Sequence, residues 1–289
     1  MAEGDGGAEP ADVGAGAGFL EAGIDFEYAN AARMYDYFLG GAHNFAVDRE
    51  LGDRVAAVNP GVAAWARGNR AFLTRVVRHC VQQGVRQFLD LGSGIPTAGH
   101  IHETARELAP ETRVAYVDFE PVAVAHSQEL LADVPGVSIT RADIRDPHSV
   151  MSAPTVTEII DFTAPVAVLM VATAHFIADR DDPQRVLAEY RDALVPGSYL
   201  ALTHGSTDYD DPALVEQFTQ AVAVYRDSAT PVQLRGRDDI RGLFGDLELI
   251  EPGLVDIAHW AGTTDSEDET VPPLGTYGAL GLKTGLRSP

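Results

Sequence analysis

The sequence predicts an α/β fold in which one doubly wound, mostly parallel sheet of seven strands carries helices on both of its faces. Three observations lead to this prediction. Segments rich in Val, Ile and Leu alternate with helical segments from residue 85 to residue 204, as a parallel sheet requires. A glycine turn directly follows the first of these segments. Two further strand candidates come late in the chain, at 247–254 and 277–283.

The part of the chain before the sheet divides into a tail and a helical cap. Residues 1–24 are mostly Ala, Gly, Glu and Asp, and with so few large apolar groups we expect a disordered tail. Residues 25–83 have helical periodicity and form an N-terminal helical extension. Its helices are predicted at 28–39, 48–58 and 62–83.

Residues 84–289 are expected to form one domain built on the sheet. Its first five strands are predicted at 87–91, 113–118, 137–141, 166–171 and 199–203. The helices between them are predicted at 97–108, at 121–132, within 147–161 and at 183–194.

After the fifth strand the pattern changes. Residues 211–244 have the periodicity of two more helices, and we interpret about 205–240 as a helical insertion over the strand ends. The last two strands follow, separated by an acidic loop at 263–270.

The composition limits the partners and the compartment. The 289 residues carry 21 basic and 43 acidic side chains, a formal net charge of −22, and so acidic a chain repels nucleic-acid backbones. The longest apolar stretch, 165–174, is too short to cross a bilayer. The single cysteine, Cys80, is predicted to be buried in a helix and suits a reducing compartment. We therefore expect a cytoplasmic protein with no nucleic-acid or membrane partner.

The turn after the first strand has the pattern D-x-G-x-G. Glycines allow the backbone to approach a ligand closely, and the amides of a following helix point at it. The dinucleotide fingerprint needs Gly or Ala at the sixth position, where this chain has Thr97. We therefore expect Asp90, Gly92, Ser93 and Gly94 to bind a nucleotide-like ligand other than NAD.

Acidic side chains follow the second and third strands. Asp118 is placed to accept hydrogen bonds from both ribose hydroxyls of an adenosine, or to cap the next helix, and Glu120 suits either role. Asp143 is placed to accept from the exocyclic amine of adenine, with Ile144 against the ring. The alternative for Asp143 is a turn aspartate. Taken in order, these residues predict an adenosine site.

These motifs resemble the actinobacterial S-adenosylmethionine-dependent methyltransferases of uncharacterised function, formerly a domain of unknown function. The resemblance covers about residues 30–283. It rests on the segments 32–41, 44–49, 69–73, 87–98, 116–118, 142–147 and 196–200.

Membership of that family implies a Rossmann-like class I methyltransferase fold whose last strand runs antiparallel. It also implies S-adenosyl-L-methionine as the cofactor and S-adenosylhomocysteine as the product. The expected cofactor site includes Phe119 beside Asp118, and Arg70. By their charge, Arg70 and Arg33 are candidates for binding the methionine carboxylate or an acidic substrate, and surface arginines without such a role are the equal alternative. The resemblance implies no particular methyl acceptor.

Two residues are candidates for catalysis. His175 follows the fourth strand, at the end where this fold places the reacting methyl group, and an imidazole titrates near neutrality. A hydrogen-bonded core histidine is the alternative. Tyr35 lies before a double glycine in a segment that suits a lid, although packing is the favoured interpretation of this residue. The expected acceptor pocket contains Tyr35, Tyr37, His43, Asn44, His175 and His204.

No metal site is expected, because His100 and His102 are two residues apart on a predicted helix and face different ways. The predicted function is methyl transfer to an unidentified small-molecule acceptor. The first alternative is a non-catalytic regulatory protein that binds S-adenosylmethionine or S-adenosylhomocysteine. The second is a nicotinamide-dependent oxidoreductase, which Thr97 and Asp143 disfavour. The acceptor atom and the oligomeric state stay open at this point.

Overall fold

The structure, a computed structural model, describes residues 26–95, 100–260 and 272–285. The predicted tail, 1–24, and the acidic loop, 263–270, lie outside these ranges. The strands of the central sheet are β1 (Gln87–Leu91), β2 (Arg113–Asp118), β3 (Val137–Arg141), β4 (Ala167–Met170), β5 (Tyr199–Gly205), β6 (Glu248–Leu249), β7 (Val255–Asp256) and β8 (Thr276–Leu282).

The strand order confirms the predicted doubly wound sheet. It is β3-β2-β1-β4-β5-β8-β6, with β7 also paired to β8. The first five strands run parallel, and β8 runs antiparallel to β5. The chain winds outward from β1 to β2 and β3 on one side and to β4 and β5 on the other. The point where the winding reverses, between β1 and β4, is where sheets of this kind bind ligands.

The main difference between the predicted and the observed sheet lies at 247–254, where the sequence predicts one strand. The structure has two short strands there, β6 and β7, separated by a turn through Glu251, Pro252 and Gly253. Pro252 has no amide hydrogen to donate to a strand ladder, and Gly253 adopts a φ of +84°. The sheet therefore has eight strands instead of the predicted seven.

Helices cover both faces of the sheet. They are α1 (Ala31–Phe38), α2 (Ala46–Val58), α3 (Val62–Gln82), α4 (Ile101–Arg106), α5 (Pro121–Leu131), α6 (Pro147–Ser152), α7 (Pro154–Thr157), α8 (Pro183–Asp192), α9 (Pro212–Tyr225) and α10 (Arg237–Gly242), with 3-10 turns at Ala174–Phe176 and Asp179–Asp181.

Four of these helices begin with an acidic residue followed by proline. In each, the carboxylate accepts a hydrogen bond from a backbone amide of the first turn, and the proline stands where no amide is needed. The pairs are Glu120-Pro121, Asp146-Pro147, Asp182-Pro183 and Asp211-Pro212. The predicted starts of α5 and α8 are confirmed. They could be predicted because the acid–proline signal is local in the sequence.

Two predicted helices differ from the structure. The helix expected at 97–108 is the shorter α4, and residues 96–99 before it lie outside the described ranges. The helix expected within 147–161 is two short helices, because Pro154 cannot continue the first one and starts the second.

The core has one layer on each face of the sheet. Successive side chains of a strand point to opposite faces, so β1 contributes Leu89 and Leu91 to one layer and Phe88 to the other. Cys80 of α3 is fully buried in the second layer, as predicted. In the part of the chain that the structure describes, no helix combines the length and apolar character needed to cross a bilayer.

A buried ion network joins the N-terminal helices to the sheet. Arg33 of α1 is only 1% exposed. Its Nε donates to Asp48 of α2 at 2.8 Å, and its Nη1 donates to Glu120, which starts α5, at 2.9 Å. Its Nη2 donates to the carbonyl oxygen of Tyr28 at 2.7 Å. The expectation that Arg33 binds the methionine carboxylate is therefore wrong, because all three of its nitrogens are engaged within the protein.

We expect Arg33→Ala to lower the free energy of unfolding by about 3–5 kcal/mol, because two buried carboxylates lose their counter-charge. Arg54→Ala is the matched control. The pair of Arg54 and Asp227 has side chains that are 56% and 58% exposed, so the control should cost less than about 1 kcal/mol. Urea denaturation measures both values, and equal losses would contradict a stabilising role for the network.

Candidate active site

A cavity of about 740 Å³ opens at the carboxyl ends of the parallel strands, a volume in the usual range for small-molecule sites. Residues at the carboxyl ends of four neighbouring strands line it: Asp90 in β1 and Gly92 directly after that strand, Asp118 at the end of β2, Asp143 after β3 and Val171 after β4. We call the acids and the glycine turn of this lining the donor end, and the side chains from α1, α3, α9, the turn after β4 and the loop 229–234 the acceptor end.

The glycine turn is held tightly against the end of β4. Gly92 and Gly94 have φ values of +76° and +67°, which favour glycine. The amides of Gly92 and Ser93 both donate to the carbonyl oxygen of Val117, at 2.8 and 3.1 Å. A Cβ atom on Gly92 would lie 2.4 Å from the Cγ2 of Thr173. Only glycine therefore fits this position.

Asp118 links the glycine turn to the end of β2. Its Oδ2 accepts from the amide of Gly94 at 2.7 Å, and its Oδ1 accepts from the amide of Glu120 at 2.8 Å. Burial raises the pKa of Asp118. The helix cap is Glu120, whose Oε2 accepts from the amide of Ala123 at 2.9 Å. Glu120 therefore caps α5 and pairs with Arg33, and both Asp118 and Glu120 line the cavity.

The carboxylate of Asp90 is buried and accepts no hydrogen bond from any described residue. Burial raises its pKa to about 7, with the charge of Arg70 opposing this shift and that of Asp118 adding to it. Two neighbouring polar atoms are also buried without a partner, the Nε of Arg70 and the Oγ of Ser93. All three residues line a second cavity of about 20 Å³. Unpaired buried polar groups are costly, so this cluster is suited to a polar ligand.

Asp143 has the turn geometry that the sequence left as an alternative. Its Oδ1 accepts from the amide of Arg145 at 2.9 Å, and its Oδ2 accepts from the Nη2 of Arg145 at 2.6 Å. Hydrogen bonds from that guanidinium hold the pKa of Asp143 below its usual value. Both Asp143 and Ile144 still line the donor end.

Phe119 is an exposed apolar side chain at the donor end. It follows Asp118, is 62% exposed and lines the cavity. The guanidinium of Arg141 lies 6.0 Å from the centre of its ring. An apolar ring left open to a cavity is typical of a surface that a ligand covers.

Of the residues expected in the acceptor pocket, Tyr35 lines the cavity. Its hydroxyl donates to the carbonyl oxygen of Ala66 at 2.9 Å. Burial raises the pKa of Tyr35 to about 12. A phenol that keeps its proton and is already hydrogen-bonded is a poor base, so the geometry favours the packing interpretation over catalysis.

The structure places Tyr37, His43 and Asn44 away from the cavity. Tyr37 follows Tyr35 by two residues, a rotation of about 200° around the helix, and its hydroxyl donates to Asp53 on the solvent side. The amide of His43 and the side-chain amide of Asn44 both donate to Asp36, at 2.8 Å each. The polar groups that suggested a lid therefore stabilise the bend after α1.

His175 and His204 are buried beside the cavity and do not line it. The ring of His175 packs on Phe176, with centroids 4.4 Å apart, and its buried Nδ1 has no hydrogen-bond partner among the described residues. Burial lowers the pKa of His175 to about 3 and that of His204 to about 4. The Nε2 of His204 accepts from Arg235 at 2.8 Å, which leaves its Nδ1 to donate to the carbonyl oxygen of Gly205 at 2.8 Å. Both imidazoles are neutral at pH 7.

Sequence reasoning missed most of the acceptor end. Its aromatic residues belong to helices and turns whose periodicity indicates core packing, so no local signal marked them as functional. The missed residues that line the cavity include Trp65, Thr173, Phe176, Val222 and Tyr225. Among the described residues, no group of three or more His, Cys, Asp or Glu side chains has the arrangement of a metal site.

The strand order, the antiparallel β8 and a polar cleft beyond β1, β2 and β3 define a Rossmann-like class I methyltransferase fold. Comparison with known proteins agrees. The chain matches the family described as S-adenosyl methyltransferase over residues 18–284. It therefore belongs to that family, and its cofactor is S-adenosylmethionine.

Solved structures support the same assignment. A protein from Thermobifida fusca YX, provisionally described as a methyltransferase, is 38% identical with a TM-score of 0.84, over 91% of this chain and 98% of that one. A DUF574 family protein from Streptomyces avermitilis MA-4680 is 35% identical with a TM-score of 0.83, over 90% and 99%. An O-methyltransferase family protein from Burkholderia thailandensis, 14% identical with a TM-score of 0.50 over 88% and 64%, shares the fold alone. No curated protein matches the chain.

The donor end fits this cofactor chemically. The cluster of Asp90, Ser93 and Arg70 offers a carboxylate, a hydroxyl and a guanidinium nitrogen that form no hydrogen bond with any residue that the structure describes, which suits an amino-acid moiety. Asp118 offers a buried carboxylate, which suits ribose hydroxyls, and Phe119 offers an open ring, which suits a base. The predicted resemblance and cofactor are thus confirmed by the family match, while the role of each residue stays a prediction.

We expect Gly92→Ala to destabilise the protein more than Gly84→Ala. Both positions have positive φ, but Gly84 has nothing within 4 Å of an added Cβ, so it isolates the backbone cost of about 1–2 kcal/mol. The contact with Thr173 should add about 1–3 kcal/mol. Adding Thr173→Ala to Gly92→Ala should recover part of that excess. Urea denaturation of the four proteins, wild type included, tests this, and equal losses for the two glycine variants would contradict it.

We expect the free energy of unfolding to fall as the pH rises from about 4 to about 7, in part because of Asp90. An aspartate in the unfolded chain titrates near pH 4, whereas burial raises the pKa of Asp90 to about 7. Between these values the folded protein holds a proton that the unfolded chain has released, so unfolding becomes easier with rising pH. Asp90→Asn should flatten this slope in denaturation at pH 4.5, 6 and 7.5. An unchanged slope would show that Asp90 titrates normally.

Proposed function

We propose that the chain transfers the methyl group of S-adenosylmethionine to a small-molecule acceptor bound in the same cavity. The observation that carries this proposal is that the acids and glycine turn of the donor end and the aromatic side chains of the acceptor end line one cavity of about 740 Å³. Val171 and Thr173, which follow β4, line the same cavity, and a donor and an acceptor would meet next to them. Holding two reactants in line supplies much of the acceleration in reactions of this type.

The donor end would hold the cofactor through three groups of side chains. Asp118 would accept from the ribose hydroxyls, and Phe119 and Ile144 would pack on the two sides of the adenine, with Asp143 near its exocyclic amine. The methionine moiety would interact with the polar cluster around Asp90. When bound, S-adenosylmethionine supplies a methyl group already activated by its sulfonium centre.

Proton transfer is needed only for some acceptors. His175 is the candidate base for an acceptor that must lose a proton, because its ring centroid lies 6.3 Å from that of Trp65 at the acceptor end. The lowered pKa of His175, about 3, makes its imidazole a weak base in this buried position. His175 would have to reach the cavity past Phe176, against which it packs. For acceptors with a free lone pair, orientation by the cavity walls suffices.

The cysteine content and the net charge of the sequence support a compartment and a class of substrate. We propose a cytoplasmic location, supported by the single buried cysteine. The net charge of −22 supports a small molecule, rather than a nucleic acid, as the substrate. The N-terminal helical cap and the insertion of about 205–240 would shape the acceptor end, which both of them line.

Calorimetric titration with S-adenosylmethionine, S-adenosylhomocysteine and NAD tests the donor site directly. We expect micromolar binding of the first two and none of NAD. Binding of NAD alone would overturn the proposal. A non-catalytic sensor differs in turnover: it would bind the cofactor and never release S-adenosylhomocysteine with any acceptor.

We expect Asp118→Ala to weaken the binding of S-adenosylhomocysteine by about 1–3 kcal/mol, the loss typical of hydrogen bonds to a charged group. Asp133→Ala, at an exposed position outside the cavity, should leave the affinity unchanged. Calorimetry measures both affinities, and denaturation confirms that both variants are folded. Unchanged affinity in a folded Asp118→Ala protein would place the ribose elsewhere.

A further inference from the structure

We propose that the methyl acceptor is an uncharged, planar aromatic compound, bound between the aromatic side chains of the acceptor end. This inference rests on the proposed function and names the substrate class of the same site. It depends on three observations: the side chains that form the walls, the placement of charge around them, and one hydroxyl group without a partner.

Four aromatic side chains line the acceptor end: Tyr35 from α1, Trp65 from α3, Tyr225 from α9 and Phe176 from the turn after β4. The rings of Tyr35 and Trp65 meet edge to face, with centroids 5.7 Å apart and planes at 82°. Val222, one turn before the end of α9, adds an aliphatic contact. Walls of this kind bind flat rings, because faces and edges of aromatic groups attract one another.

The polar atoms of two of these aromatic side chains form hydrogen bonds within the protein. The Nε1 of Trp65 donates to the Oγ1 of Thr276 at 2.7 Å, and the hydroxyl of Tyr35 donates to the carbonyl oxygen of Ala66 at 2.9 Å. These bonds fix the orientation of both rings. A site whose rings are held in advance loses little side-chain entropy when a rigid ligand enters.

The charged side chains near the acceptor end have partners or face solvent. Asp179 pairs with Arg235 at 2.6 Å, Asp181 pairs with Arg145 at 3.4 Å, and Arg226 is exposed. The guanidinium of Arg70, 5.9 Å from the centre of the Tyr35 ring, interacts with the charge of Asp90. A charged acceptor between the rings would lose its solvation and compete for charges that are already compensated, which is unfavourable. This placement of charge favours an uncharged compound.

Tyr225 supplies the polar contact that would orient such a compound. No described residue forms a hydrogen bond with its hydroxyl group, although the side chain lines the cavity. Burial raises the pKa of Tyr225, so the hydroxyl keeps its proton and can both donate and accept. A hydroxyl group or ring nitrogen on the acceptor would meet this partner and be fixed relative to the donor end.

Three probes on related carbon skeletons separate the elements of the proposal. They are 2-naphthol, which is flat and uncharged, decahydro-2-naphthol, which is saturated, and 2-naphthalenesulfonate, which is charged. Calorimetric titration of each into protein saturated with S-adenosylhomocysteine should show 2-naphthol binding roughly tenfold more tightly than the other two. Equal affinity of the saturated alcohol would overturn the aromatic part of the proposal, and equal affinity of the sulfonate would overturn the uncharged part.

Two pairs of variants locate the binding. Val222→Trp should fill the acceptor end and weaken 2-naphthol binding at least about tenfold, whereas Ala223→Trp, on the exposed side of the same helix, should not. Tyr225→Phe should cost roughly five- to tenfold, the loss typical of one hydrogen bond. Tyr199→Phe, in the core outside the cavity, should cost nothing. Affinities that do not differ within each pair would overturn the placement.

The two proposals fail in different ways. S-adenosylhomocysteine should bind Val222→Trp and Tyr225→Phe as it binds the wild type, because neither residue lies at the donor end, and this also shows that both variants are folded. If S-adenosylhomocysteine does not bind the wild type, the proposed function fails, and with it the substrate class. If it binds and 2-naphthol does not, the substrate class alone is overturned.

Discussion

The ion pairs that Arg33 forms with two buried carboxylates hold the N-terminal helices against the sheet, and the arrangement of the site depends on them. It is buried and pairs with Asp48 and Glu120, and three charges in a protein interior are tolerated only while each is compensated. Asp48 also accepts from the amides of Asn30 and Phe45, so the same carboxylate orders the starts of α1 and α2. The N-terminal cap, the loop after β2 and the start of α5 consequently form one unit.

The donor end is built onto that unit through backbone groups. Asp118 accepts from the amides of Gly94 and Glu120, and Thr173, three residues after β4, donates its hydroxyl to the carbonyl oxygen of Gly92. The glycine turn is therefore held by the end of β2 on one side and by the turn after β4 on the other. A site held in this way needs little rearrangement to receive a ligand, and the polar groups left without partners around Asp90 mark where a ligand would compensate them.

The contrast between the two ends of the cavity suits the chemistry of methyl transfer. A cationic donor calls for buried carboxylates, which are costly unless the ligand pairs with them. An uncharged acceptor calls for apolar walls that exclude water and fix its orientation. Side chains of both kinds line the one cavity at the carboxyl ends of the strands.

The sequence by itself determined the sheet and the donor end, because strands buried on both faces, glycine turns and acid–proline helix starts are local signals. Asp118 and the glycine turn therefore lie where the pattern placed them. Only the tertiary structure decided the acceptor end. Trp65 and Tyr225 are 160 residues apart and have the periodicity of core positions, whereas Tyr37 and His43, which had the more suggestive composition, point away. Which side chains converge on a cavity depends on how the helices pack, and no single segment encodes that arrangement.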